Sequence, residues 1–201
     1  MDSLPSESTT FWREYGQRVI RGEFDFSIWP RHGVPPGVTV DPQRRIITIG
    51  RPLAHFEVGK KVYFKRTFTD EERLSHAAES WDHNPFHLAP EFCAETRFRK
   101  PIMHGLLVAA MVCHFGGDIY PGPAYLATSM HFDFLDAVYP GDTVLAEGRV
   151  EEIDTGRHRV KFAITCWKDG DNGIPKIKVL EGYVVGVPMQ VEIPFPETIS
   201  S

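Results

Sequence analysis

Asp82 and His87 stand five residues apart, with Asn84-Pro85 between them. A carboxylate and an imidazole that converge on one water form an acid–base pair. Histidine suits that role because its ordinary pKa, about 6.5, lies near neutrality. In a continuous helix a spacing of five puts two side chains on different faces. Proline disfavours helical geometry in the residue before it. A helix is therefore expected to end near Asp82 and the chain to bend through Asn84-Pro85, which brings both groups round to one point. Taken alone, the spacing is more often a polar residue at a helix end and an ordinary histidine.

The elements that would hold this pair can be read around it. Thr69-Asp70-Glu71-Glu72 is a capping box that starts the helix. Leu74, Ala77, Ala78 and Trp81 follow at i, i+3, i+4 and i+7, one apolar face expected to pack on the core. Residues 90–95 read as a further short helix. The segment from His104 to Phe115 is apolar almost all round and stops at Gly116-Gly117, which predicts a buried helix. The period then changes to two: Met130, Phe132 and Phe134, then Val144 to Val150, then Val160 to Cys166, then 177–187. Turns fall at Pro140-Gly141-Asp142, Asp154-Thr155-Gly156 and residues 169–173. Residues 45–49 and 62–67 add two possible strands. Strands joined by short turns give an antiparallel sheet. The predicted class is α+β: a hot-dog fold, in which a curved sheet wraps one central helix.

The stretch also resembles the signature of the MaoC-like, (R)-specific enoyl-CoA hydratase family. That signature runs Ser-Gly-Asp-x-Asn-Pro-apolar-His, then a small residue, then apolar-His-Gly-(Met/Leu)-Leu. This chain has Ser80-Trp81-Asp82-His83-Asn84-Pro85-Phe86-His87, then Ala94, then Ile102-Met103-His104-Gly105-Leu106-Leu107. The likeness in pattern covers roughly residues 68–188. Trp81 departs from it, standing where Gly is usual.

The resemblance implies addition of water to a trans-2-enoyl thioester, or the reverse dehydration, with Asp82 and His87 acting on one water. Which is base and which acid stays open. It implies that the Gly105 amide, at a helix N-terminus, stabilises the thioester oxygen. Asn84, Pro85 and Ser80 would shape and support the bend. Trp81 is either a wall of the acyl pocket or a core anchor, the shared helical face favouring the anchor. Phe86 and His104 are placed at the substrate site, His104 with a structural role as its alternative. Arg97, Arg99 and Lys100 are either a solvated charge run or a rim that meets coenzyme A or phosphopantetheine phosphates. No cofactor is expected beyond that thioester handle. The resemblance further implies a homodimer, or a multiple of it. Two rival readings remain: a hot-dog subunit that binds acyl thioesters with weak or no activity, and a hot-dog thioesterase. The second normally needs a carboxylate on the central helix, and 104–115 contains none.

Composition sets the outer bounds. The chain has 201 residues, 42% hydrophobic and 24% charged, enough for a normal core. A net charge of −5 without a basic stripe argues against nucleic acid as partner. Cys93, Cys113 and Cys166 have no pairing spacing, which suggests reduced thiols. The start MDSLPSESTT lacks a basic end and an apolar core, so no secretory signal is expected, and no run is long enough to span a membrane. The expected location is cytoplasmic. No HExxH, paired-cysteine, GxGxxG or P-loop pattern occurs, so no metal or nucleotide cofactor is expected. The expected division is an N-terminal extension over 1–54, the hot-dog domain over 55–190 and a tail over 191–201. The extension would carry a short helix over 11–20 and a proline-rich wrap, with Trp12, Phe24, Phe26 and Trp29 packed on the core.

Overall fold

The computed structural model describes residues 37–41, 43–168 and 177–194. The expected helix over 11–20, the packing of Trp12, Phe24, Phe26 and Trp29, and the turn at 169–173 lie outside the described residues. Two antiparallel sheets are present. The smaller joins β1 (Val38–Asp41), β2 (Ile46–Gly50) and β8 (Gln190–Pro194) in the order β1-β2-β8. Residues 38–41, expected to be irregular, are thus a strand. Gly50 lets β2 and β8 close: a Cβ there would lie 2.0 Å from the Met189 carbonyl oxygen.

The main sheet contains β3 (Lys61–Thr67), β4 (Tyr125–Phe134), β5 (Thr143–Asp154), β6 (Arg159–Lys168) and β7 (Ile177–Pro188). Its order is β3-β5-β6-β7-β4. β5, β6 and β7 form the expected meander. β4 does not pair with β5 across the Pro140-Gly141-Asp142 turn but crosses to β7, so β3 and β4 are the two edges. Alternate residues of β5 and β6 are buried, among them Val144, Ala146, Val150, Val160, Phe162 and Ile164. This alternation is what a sheet covered on one face requires.

Between β3 and β4 come α1 (Asp70–Ser80), α2 (Pro85–Leu88), α3 (Pro90–Ala94) and α4 (Gly105–His114). α4 buries Val108, Ala109, Met111 and Val112 against the inner face of the sheet. It is the central helix, but it is not covered all round: Leu106, Ala110, Cys113 and Gly117 form an exposed row at i, i+4, i+7 and i+11. One π turn, Phe115–Ile119, prolongs it. Phe115 fits against Gly148 of β5, where a Cβ would lie 2.1 Å from its ring. Cys93, Cys113 and Cys166 are free thiols. No helix among the described residues is long and apolar enough to cross a membrane.

Candidate active site

The bend that carries Asp82 and His87 is built from local hydrogen bonds. α1 opens on the expected capping box: Glu72 N–H donates to Thr69 Oγ1 (3.2 Å) and Thr69 N–H to Glu72 Oε2 (2.8 Å). It closes on Trp81 in the left-handed region, φ 59°. That reversal, rather than Pro85 alone, turns the chain out of the helix. Ser80 Oγ donates to the His76 carbonyl (2.6 Å) and accepts from Asp82 N–H (3.3 Å). Asp82 Oδ1 accepts from Asn84 N–H (3.1 Å), and Asn84 Oδ1 from Phe86 N–H (3.2 Å). Asn84 thereby caps α2, and Pro85 fills its first position, where a missing N–H costs nothing. The buried Arg73 holds the far side of the bend, bonding the His87 carbonyl and Asp70.

The result brings three side chains together. His87 Nε2 lies 3.9 Å and His104 Nε2 4.0 Å from Asp82 Oδ2. His87 Nδ1 is 2.9 Å from the Ile102 carbonyl oxygen. That oxygen can only accept, so Nδ1 carries a proton, and in the neutral ring the lone pair sits on Nε2, facing Asp82. His104 is 2% exposed, and its ring stacks on His87 at 3.8 Å between centroids and 25° between planes. Its Nε2 is 3.2 Å from the Asp82 carbonyl oxygen, and its buried Nδ1 has no partner. Burial pushes the His104 pKa below the usual imidazole value, against the pull of the Asp82 carbonyl. His104, expected either at the substrate or in a structural role with its side chain turned from the Gly105 amide, stands directly behind the pair.

The ligating atoms of Asp82, His87 and His104 all lie within 4.8 Å of one another, the one such group among the described residues. These three could hold a cation if Nε2 of His104 gave up the Asp82 carbonyl. As it stands, His104 Nε2 is committed to that carbonyl.

α4 begins immediately beyond His104. Its first helical bond runs from Val108 N–H to the His104 carbonyl (3.1 Å), so the Gly105, Leu106 and Leu107 amides have no partner within the helix. A Cβ on Gly105 would sit 3.0 Å from the Phe134 ring of β4, so Phe134 covers that glycine. β4 continues alongside α4. Where Tyr125, Ala127 and Met130 face Val112, Cys113, Phe115, Gly116 and Gly117, they line a half-open apolar cavity of about 190 Å³ together with Phe162, Ile164 and Val184. A Cβ on Gly116 or Gly117 would meet open space.

The remaining expected residues lie around this centre. Trp81 is 82% exposed and Leu74 is also exposed, so neither anchors a core. α1 buries Ala77, as expected, together with Arg73, because Arg73 must reach the His87 carbonyl and His76 packs on His104, with ring centroids 4.8 Å apart. Phe86 packs edge-on to Phe92 (5.0 Å) and Phe98 (5.6 Å), tying α2 to the chain after α3. Arg97 and Lys100 lie over the rings of Phe98 and Tyr139, and Arg99 donates to the Ala94 carbonyl (2.8 Å); all three are exposed. Three features were not expected from sequence: the Ile102 carbonyl, Phe134 over Gly105, and the cavity. The first is a backbone group with no residue signature. The β4 alternation marked Phe134 as inward but could not say that it meets Gly105.

The family described as MaoC like domain matches residues 55–169. An (R)-specific enoyl-CoA hydratase of Aeromonas caviae is 38% identical over 97 residues, 48% of this chain and 72% of that protein. A mitochondrial 3-hydroxyacyl-[acyl-carrier-protein] dehydratase of Arabidopsis thaliana is 32% identical over 135 residues, 65% of this chain and 76% of that protein. Among solved structures, the (R)-hydratase from A. caviae superposes with a TM-score of 0.60 at 30% identity, covering 66% of this chain and 96% of that one. R-hydratase PhaJ1 from Pseudomonas aeruginosa gives 0.61 at 25% identity, covering 78% and 97%. The matched span takes in the bend and the helix it faces, and this chain belongs to the MaoC-like domain family.

Proposed function

We propose that this chain is a hydro-lyase that adds water to a trans-2-enoyl thioester, or removes it from an (R)-3-hydroxyacyl thioester. The observation that carries the reading is the gap between Asp82 Oδ2 and His87 Nε2. A water placed about 2.8 Å from both atoms would give each of them one hydrogen bond. It would donate both protons and turn its oxygen lone pairs outward. His87 Nε2 takes one proton as the oxygen attacks Cβ, then returns it to Cα. Asp82 orients the water and balances the imidazolium. Proton transfer by a positioned group is worth roughly 10²–10⁴-fold. The thioester oxygen, which gains charge, meets the free amides at the start of α4, Gly105 first. The chemistry consumes only water and the thioester and needs no cofactor.

The acyl chain would run along the groove between α4 and β4, from Gly105 and Phe134 towards the apolar cavity. Gly105 and Cys113 are eight residues apart, about 12 Å along a helix axis. Coenzyme A or a carrier-bound phosphopantetheine would hold the other end, with Arg97, Arg99 and Lys100 as candidate contacts for its phosphates. A second copy of the chain would cover Leu106 and Ala110 at the start of the exposed row of α4 and the half-exposed Met130 and Phe134 beside the β4 edge, leaving Cys113 open to the groove. The hot-dog domain proper is taken as residues 55–190.

Loss of enoyl absorbance with crotonyl-CoA, with chiral analysis of the product, tests the activity. Formation of (R)-3-hydroxybutyryl-CoA supports it. Release of free coenzyme A instead would favour a thioesterase, and binding without turnover the inactive subunit.

A further inference from the structure

His104 takes no part in the steps proposed above, yet it is the most enclosed polar side chain of the site. Three contacts fix its ring. Nε2 faces the Asp82 carbonyl at 3.2 Å, one face lies on His87 at 3.8 Å, and His76 of α1 packs against it at 4.8 Å. A carbonyl only accepts, so the His104 proton is on Nε2, and Nδ1 is left as a bare, buried lone pair. Leaving a buried acceptor unsatisfied forfeits the hydrogen bond that water would have given it. An apolar side chain of similar size would avoid that cost, so packing alone does not account for a histidine here.

We propose that His104 is a positioning residue for both members of the acid–base pair: it grips the Asp82 backbone from behind and supplies a neutral aromatic face that stabilises His87 once His87 carries the proton taken from water. The proposal rests on the hydratase reading and names how that site is held. Its logic is electrostatic. An imidazolium stacked on a neutral ring is attracted to the π face, whereas two stacked imidazoliums repel. His104 must therefore remain neutral while His87 carries the proton taken from water, and burial disfavours its charged form. The charged and titratable groups that face the pair are Asp82 itself, His76 from α1, and Arg73, whose guanidinium meets the His87 carbonyl. Arg73 is already balanced by Asp70 (2.7 Å).

Two measurements test this. The first needs no substrate. Imidazole nitrogen NMR shifts of the resting protein should show His104 neutral with its proton on Nε2, and His87 with its proton on Nδ1. A neutral His104 with its proton on Nδ1, or one already protonated at pH 7, overturns the proposal whatever the substrate is. The second compares His104→Phe with His104→Leu. Both lose the N–H and keep apolar bulk, but only Phe keeps an aromatic face. Phe should exceed Leu by about 3- to 10-fold in kcat, the range expected for one aromatic pair, with similar KM. The acid limb of the kcat/KM profile should hold its wild-type position in the Phe variant and move to lower pH in the Leu variant. Equal kinetics in the two variants with an unmoved limb would reduce His104 to packing and overturn the proposal.

Discussion

His87 Nε2 and Asp82 Oδ2 face one another across 3.9 Å, while the opposite nitrogen of the His87 ring is held by the Ile102 carbonyl. The gap is too long for a direct hydrogen bond and lets one small molecule beside it bond both atoms at once. The Ile102 contact decides which nitrogen faces the gap. Had Nδ1 been free and Nε2 tied down, the same two residues would present a different lone pair in a different direction. The chemistry proposed here therefore depends on a backbone carbonyl as much as on the two side chains.

Trp81 tests how the bend is held. A non-glycine residue in the left-handed region costs about 1–2 kcal/mol, and the indole gains little burial in return. Trp81→Gly should raise thermal stability by about 1 kcal/mol, somewhat offset by the greater freedom of glycine in the unfolded chain. The crotonyl-CoA rate should stay within about twofold, as for most exposed sites. Differential scanning calorimetry decides it: a lower melting temperature means that the indole has a partner which the described residues do not include.

Much of this site was legible in the sequence because it is local. The capping box of Thr69 and Glu72, the stop before Asn84-Pro85 and the start of α4 at Gly105 are each written within a few residues. The glycine usual at position 81 is now intelligible as a left-handed position, which no spacing argument could reveal. The misread features are tertiary. Of the helical face of Leu74, Ala77, Ala78 and Trp81 only Ala77 is buried; Arg73 takes the place beside it, because an ion pair with Asp70 lets that long side chain be buried and reach across to α2. Likewise, the apolar circumference of α4 reads as fully buried, yet its Leu106-to-Gly117 row is uncovered in a single chain. The place of β4 beside β7 depends on a crossover that a short turn does not announce.

Gly116→Leu probes the groove. A side chain there enters open space bordering the cavity, so the fold should tolerate it. The variant should keep its rate with crotonyl-CoA and lose at least about tenfold in kcat/KM with the longest enoyl chains the parent accepts, since a pocket excludes roughly 1–3 kcal/mol per methylene that no longer fits. A uniform loss at every chain length would place the acyl chain elsewhere.

Thiol chemistry probes the same groove. Burial pushes the Cys166 thiol up to about 12, and Cys93 is fully buried, whereas Cys113 is exposed on the cavity wall. Brief iodoacetamide treatment near neutral pH should alkylate Cys113 and spare the other two, as read by peptide mass spectrometry. The alkylated protein should lose long-chain activity before short-chain activity. Equal labelling of Cys166 would show that the core opens readily.

Acid should destabilise the fold through His104. Its native pKa lies below the usual value, so between the ordinary imidazole pKa of about 6.5 and the lower native value the unfolded chain binds a proton that the native state resists. That contribution is absent above pH 7 and grows as the pH falls through 6.5. His104→Phe should therefore lose less melting temperature between pH 7.5 and pH 5.5 than the parent does. An identical acid loss in both proteins would show that His104 is not the group concerned.

The most direct test of the account is a double-mutant cycle on the pair. Initial rates of enoyl-thioester hydration should be measured for the parent, Asp82→Asn, His87→Ala and the double variant, each shown to be folded by its melting curve. If both groups act on one water, each single change should remove at least about 10³-fold, and the double variant should be no worse than the poorer single one, because groups that work as a unit lose their effect together. Near-parental activity in either single variant, or losses that multiply in the double variant, would contradict the assignment.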